Sequence, residues 1–230
     1  MTFLTIGHRG VMGVEPENTL RSYLRAERSG MDVIALDVQL SKDGALVALH
    51  DPEVDRTTDG SGAVADLTLA ELRGLDAGQG ERVPVLEDVL DAVRTPLQVS
   101  VRDRAAAGAL AELLLRRDLT ARVEVASFDD TLLAEVARLV PGVRTVLHAA
   151  APDDGAEEVV GRAAAAGAAA IALDIRRLSL AAVEAAHASG LRVTGRDVNT
   201  LDLLRLARAL ELDGAETDFP EIRSTGRFTA

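Results

Sequence analysis

The chain has 230 residues, enough for one large α/β barrel or two small domains, and no Pro/Gly/Ser-rich linker divides it, so residues 1–230 read as one domain. A net charge of −12 argues against a nucleic-acid surface and gives no help toward an anionic membrane, and the absence of cysteine excludes disulfides and thiolate sites. No apolar stretch is long enough to span a bilayer and no basic or long apolar leader opens the chain, so a cytoplasmic protein without stable membrane association is expected.

Short apolar runs alternate with amphipathic segments along the whole chain, the pattern of a parallel sheet with crossover helices. The first run, Leu4 to Gly7, ends in His8-Arg9-Gly10. Glu17-Asn18-Thr19 then opens a helix over Thr19 to Ser29, where Leu20, Tyr23, Leu24 and Glu27 fall at helical spacing and Gly30 stops it. Asn18 is a candidate N-cap. A second strand, Val33 to Val38, continues through Gln39-Leu40, turns at Asp43-Gly44 and returns as Ala45 to Leu49. An Asp-Gly turn between apolar runs predicts a hairpin over Val38 to Leu49, closed by His50-Asp51.

Residues Thr57 to Gly62 read as a loop, and short helices follow at Thr68 to Leu75 and Leu86 to Val93. Beyond them strands are expected near Leu97 to Val101, Val123 to Ser127, Thr145 to Leu147, Ala170 to Leu173, Arg192 to Thr194 and Gly214 to Thr217. The helices between cover Gly108 to Arg117, Asp130 to Leu139, Ala156 to Ala166, Leu180 to Ala188 and Leu201 to Leu210. With the hairpin set aside, eight strands remain. The expectation is a (β/α)₈ TIM barrel with a short hairpin insertion after strand two, its core built of Leu, Val, Ile and Ala because only 2% of the residues are aromatic.

Active sites in this architecture lie at the C-terminal ends of the strands. His8, Asp37, Arg102, Ser127, His148, Arg196 and Asp218 all fall at or near such ends, and the hairpin returns His50 to the same rim. Two histidines with an arginine beside the first fit a site that moves protons around a phosphate. His148 reads as a satisfied polar strand end more readily than as a site residue, and His187, on a helical Ala-Ala-His-Ala face, as structural.

These motifs resemble the glycerophosphodiester phosphodiesterase family. The likeness runs through His8-Arg9-Gly10, Pro16-Glu17-Asn18-Thr19, Leu36 to Gly44, His50-Asp51, Arg56-Thr57-Thr58, Ser127-Phe128-Asp129, Val198-Asn199 and Thr217-Asp218-Phe219-Pro220. The resemblance implies hydrolysis of a glycerophosphodiester to glycerol 3-phosphate and an alcohol. It implies that His8 and His50 serve as general base and general acid, that Arg9 grips the phosphate, and that Mg²⁺ or Ca²⁺ is held by a Glu-x-Asp pair and a glutamate two residues before a lysine.

The chain departs from the family at those carboxylates. The pair reads Ala35-Leu36-Asp37, the third-strand motif reads Ser100-Val101-Arg102, and Arg196 replaces a tryptophan. Asp37 and Glu17 remain as candidate metal ligands, with Asp103, Asp197 and Glu216 as replacements, and a weakly bound or absent cation is expected. Arg102 and Arg196 are candidate phosphate contacts beside Arg9, since guanidinium donors match phosphate oxygens. Three outcomes stay open: a phosphodiesterase acting on a small glycerophosphodiester, a binding barrel that has lost turnover, and a metal-independent cyclase or lyase.

Overall fold

The alternation of apolar and amphipathic segments resolves, in the computed structural model, into a closed barrel; the structure describes residues 3–149 and 156–223. Strands β1 (Leu4–Gly7), β2 (Val33–Leu40), β4 (Leu97–Val101), β5 (Val123–Ser127), β6 (Arg144–His148), β7 (Ala170–Asp174), β8 (Arg192–Arg196) and β9 (Gly214–Thr217) pair in parallel around the ring. Pairing of β1 with both β9 and β2 closes it. The expected barrel is therefore the fold observed.

Between the strands run α1 (Leu20–Arg28), α3 (Leu86–Ala92), α4 (Arg104–Arg117), α5 (Asp130–Leu139), α6 (Ala156–Ala165), α7 (Leu180–Ala188) and α8 (Leu201–Ala209). The strands are buried along almost their whole length, as continuous apolar runs covered by helices must be. The main core joins residues such as Tyr23, Leu36, Leu97, Leu110, Leu133 and Leu147. No helix among the described residues is long and apolar enough to cross a membrane.

The hairpin is present. Strand β3 (Leu46–Ala48) runs antiparallel to the end of β2, with Val38 opposite Ala48 and Leu40 opposite Leu46. It opens a lobe that also contains a 3₁₀ turn at Val64–Asp66 and α2 (Leu69–Gly74). This lobe has its own small core of Val47, Leu49, Val54, Val64, Leu72 and Val83.

Two boundaries differ from the sequence reading by two residues or more. Helix α4 starts at Arg104 instead of Gly108, because the Asp103 side chain accepts hydrogen bonds from the backbone N–H groups of Ala105 (2.8 Å) and Ala106 (3.2 Å). Strand β8 extends to Arg196, two residues past the apolar run, because pairing with β7 continues to Asp174.

Candidate active site

The C-terminal mouth of the barrel holds a cavity of about 170 Å³, into which side chains from β1, β2, β4, β6, β8, β9 and the hairpin converge. His8 follows β1 directly, held there by its backbone N–H to the carbonyl of Thr217 (2.9 Å). Its Nδ1 lies 2.8 Å from Oδ1 of Asp218, and Asp218 also accepts from Asn199 Nδ2 at 2.6 Å. Nε2 of His8 faces Glu216 at 3.8 Å, too far for a hydrogen bond. Burial disfavours the imidazolium, but the Glu216 charge and the Asp218 hydrogen bond outweigh it and raise the His8 pKa to about 8. Burial pushes the Glu216 carboxyl above the usual carboxylate range, against the pull of His8 and Arg196.

The loop after His8 is built to aim Arg9. Arg9 and Asn18 both sit in the left-handed region, at φ 48° and 54°, which non-glycine residues adopt at a cost. Between them Gly10, at φ 86°, packs so closely on α1 that a Cβ there would lie 2.7 Å from the Ser22 backbone. Ser22 fastens this loop to the helix: its buried hydroxyl accepts from Val11 N–H (2.8 Å) and donates to the Arg9 carbonyl (3.0 Å). Ser22→Ala is expected to lower unfolding free energy by about 1–3 kcal/mol, because it strands a buried N–H. Urea denaturation checks it, and an unchanged midpoint would show that the loop re-pairs without the hydroxyl.

Asn18 proves not to be the helix cap. Thr19 caps α1, accepting from Ser22 N–H at 3.2 Å. Asn18 instead turns inward: its Oδ1 accepts from Tyr23 Oη (3.0 Å) and the Asp37 N–H (3.3 Å), while Nδ2 donates to Asp37 Oδ2 (3.2 Å). Asp37 is thereby held against Arg9, whose Nε lies 3.2 Å from the same oxygen, an ion contact without hydrogen-bond alignment. Arg9 Nη1 donates to Glu17 at 2.7 Å. The Arg9 guanidinium thus lies between Asp37 and Glu17.

His50, at the end of the hairpin, approaches from the opposite side. Its Nδ1 lies 2.5 Å from Asp51 Oδ1, and Gln39 Nε2 donates to its carbonyl at 2.9 Å. Arg56 grips both acids of the rim, Asp51 at 2.5 Å and Glu17 through two bonds of 2.8 Å. The Arg56 hydrogen bond, helped by His50, holds the Asp51 carboxyl at a pKa of about 2. Arg102, after β4, places Nη2 2.6 Å from His50 Nε2. A guanidinium can only donate, so Nε2 carries its lone pair and Nδ1 the proton.

Three further side chains complete the wall. Arg102 and Arg196 lie over the Phe128 ring at 5.5 and 5.2 Å from its centroid, and His148 meets the same ring edge-on at 5.3 Å and 82°. His148 is buried at the end of β6, and Nε2 has no hydrogen-bond partner among the described residues. The partner expected of a satisfied polar strand end is not found among the described residues. Burial first, then the charges of Arg196, His8 and Arg102, lower its pKa to about 3, so the ring is neutral. His187 is structural as expected, bonded to Asp213 at 2.9 Å far from the mouth.

The carboxylates do not fit a hard divalent cation, which needs about six oxygen ligands with charge mostly from carboxylates. Ala35 and Ser100 line the cavity on either side of Asp37, with Ser100 directly opposite Asp37 across the β2–β4 pair. Glu17 is committed to Arg9 and Arg56, Asp37 to Arg9 and Asn18, and Asp103 caps α4. Among the described residues no three acidic, histidine or cysteine side chains are grouped as a metal site.

The structure therefore brings together His8, Arg9, Asp37, His50, Arg102 and Arg196 at one cavity and leaves Glu17 at its edge. Sequence reasoning offered Asp51 only as a stand-in cation ligand and passed over Phe128 as a wall. Both lie within motifs quoted from the sequence, but only the geometry shows Asp51 orienting His50 and Phe128 bracing two guanidiniums.

A model of the glycerophosphoryl diester phosphodiesterase family matches residues 8–222. YhdW of Bacillus subtilis is 32% identical over 234 residues, covering 94% of this chain and 94% of its own. The glycerophosphodiester phosphodiesterase of Caldanaerobacter subterraneus subsp. tengcongensis is 49% identical over 100 residues, 40% of this chain and 41% of its own. Among solved structures, an Oleispira antarctica phosphodiesterase in complex with the product sn-glycerol-3-phosphate is 28% identical. It superimposes with a TM-score of 0.86 over 95% of this chain and 94% of that one. The glycerophosphodiester phosphodiesterase of Thermotoga maritima is 26% identical, with a TM-score of 0.83 over 96% and 97%.

Proposed function

We infer the reaction from one premise: this chain belongs to the glycerophosphoryl diester phosphodiesterase family. Its function is that of a phosphoric diester hydrolase, cleaving a glycerophosphodiester to glycerol 3-phosphate and an alcohol. The likeness to the Oleispira antarctica enzyme bound to sn-glycerol-3-phosphate supports the same product here.

The observation that carries the mechanism is the different set of partners around two histidines at one cavity. His8 has a carboxylate on each side and a pKa of about 8, so it enters the reaction as imidazolium with Nε2–H free to donate. His50 has its Nδ1–H on Asp51 and a lone pair on Nε2. In this reading phosphate oxygens draw Arg102 away from Nε2, and His50 takes a proton from the attacking water. The water oxygen forms the new P–O bond as the bond to the alcohol breaks, and His8 protonates the departing oxygen. Exchange with solvent returns each histidine to its starting form. Arg9, Arg102 and Arg196 hold the phosphate oxygens. Attack by a neighbouring glycerol hydroxyl instead of water would leave a cyclic phosphate, and phosphorus NMR of the product separates the two.

Release of glycerol 3-phosphate from glycerophosphocholine or glycerophosphoethanolamine tests the reading, and no release from any such diester would sink it. The pH profile tests the roles. A donor whose pKa is raised to about 8 is competent below that pH, so kcat/KM should fall tenfold per unit as pH rises beyond it. The same shift makes His8 stabilise the fold fully below about pH 6.5, its unfolded value, with that contribution lost as pH rises through about 8. Asp218→Asn, which removes the hydrogen bond favouring imidazolium, should move the alkaline limb to lower pH. A limb that stays in place assigns proton donation to another group.

A further inference from the structure

We propose that this site binds and activates the phosphate with guanidinium groups in place of a divalent cation, the working pair being Arg102 and Arg196 braced across Phe128, with His148 beneath them. The proposal rests on the hydrolase reading of the same cavity and names what does its electrostatic work. Four observations carry it.

First, Asp37 and Glu17, the acids retained from the metal motif, are bound to arginine or asparagine, and the Arg9 guanidinium itself lies between them. Second, Arg102 and Arg196 have no carboxylate partner among the described residues, in a chain with 37 acidic residues against 25 basic. Arg102 meets His50 Nε2, Arg196 donates to the Ala149 carbonyl at 3.3 Å, and both share the Phe128 face.

Third, buried polar atoms at this cavity lack a hydrogen-bond partner among the described residues. Arg196 Nε and His148 Nε2 are both shielded from solvent and unbonded, and both residues line the cavity. Buried donors are almost always satisfied, so two orphans on one wall point to a ligand that completes them. Fourth, Phe128 fixes the geometry. One ring carries both guanidiniums and meets an imidazole at 82°, which limits how far either arginine can swing away.

The ligand class that answers all four is a tetrahedral oxyanion. Planar guanidinium donors pair with its oxygens, and in a water-poor pocket they stabilise the charge that builds on the equatorial oxygens as the new bond forms. A neutral His148 adds an N–H donor without competing for charge.

The test is calorimetric titration of inorganic phosphate, and separately of glycerol 3-phosphate, into chelator-treated protein. The expected result is binding that chelator does not weaken and that added Mg²⁺ or Ca²⁺ does not tighten. Arg196→Met and Arg102→Met should each weaken phosphate binding roughly tenfold or more, the ordinary effect of losing one charge-assisted contact. Arg196→Lys, which restores charge without the planar fork, should recover part of the loss, and thermal melts establish that each variant is folded. Should a methionine variant fail to fold, the lysine variant and the chelator arm still decide. Phosphate binding that appears only after metal is added, or that a folded Arg196→Met retains in full, overturns the proposal. Turnover is read separately. Metal-dependent hydrolysis would leave the family reaction standing and remove the guanidinium reading, whereas metal-free phosphate binding without hydrolysis would do the reverse.

Discussion

His50→Ala should lower kcat and kcat/KM together by about 10²–10⁴-fold while leaving KM and the melting temperature nearly unchanged. The equal fall follows from the role inferred for the ring, since proton transfer from the attacking water occurs only in the transition state. Fold stability should be indifferent because His50 lies at the rim, outside both hydrophobic cores. His8→Ala should give a similar loss of rate but a less benign fold, because Asp218 and the buried Glu216 then face each other without the intervening imidazolium. Steady-state kinetics of both variants and of the double variant decide the matter. If the proton carriers act as one unit, the double variant is little worse than either single one. A His50→Ala enzyme keeping more than a tenth of wild-type activity would end the assignment.

Much of this architecture could be read from the chain itself. Short apolar runs located the eight strands and 3.6-residue spacing the helices, and Asp43-Gly44 announced the hairpin that delivers His50. Motifs at strand ends located the candidate site, because in a parallel barrel every strand end lies on one face. What stayed hidden depended on distance and burial. Nothing in a sequence distinguishes an orphaned His148 from a satisfied one, since the difference is an absent partner across the barrel. Asn18 carries every mark of an N-cap, and only tertiary packing turns it toward Asp37 and Tyr23. Asp37 reads equally as a cation ligand or as an ion partner of Arg9 or Arg102, and Glu17 as a spare ligand; only the structure shows Arg9 holding the first and Arg9 with Arg56 the second.

The second large effect is a change of metal dependence. Ala35 and Asp37 point to the same face of β2, and Ser100 stands opposite Asp37 on β4, so Ala35→Glu with Ser100→Glu would set three carboxylates around one point of the cavity. Without a cation, two added negative charges should repel the substrate phosphate and depress activity well below wild type. With Mg²⁺ or Ca²⁺ bound, Lewis-acid polarisation contributes several kcal/mol, and each ~1.4 kcal/mol is tenfold in rate. The double variant should therefore gain two or more orders of magnitude over its own chelated state, and calorimetry should detect a cation that the parent binds far more weakly. The parent should be indifferent to chelator. A parent that loses its activity in chelator would show that ligands other than these positions already hold an ion.

The small core beneath the hairpin lobe gives the molecule a mechanical property of its own. His8 is fixed to the barrel through β1 and β9, and His50 adjoins a lobe packed around Val47, Leu49 and Leu72. The two bodies are tied at the rim by Arg56, which links Asp51 on one to Glu17 on the other. Alignment of acid and base is thus set by how one packed unit rests on another. Displacements near 1 Å are enough to cost large factors in rate. Trimming a methyl group inside the lobe, beyond the reach of any substrate, would retune the reaction the way a shim retunes an instrument.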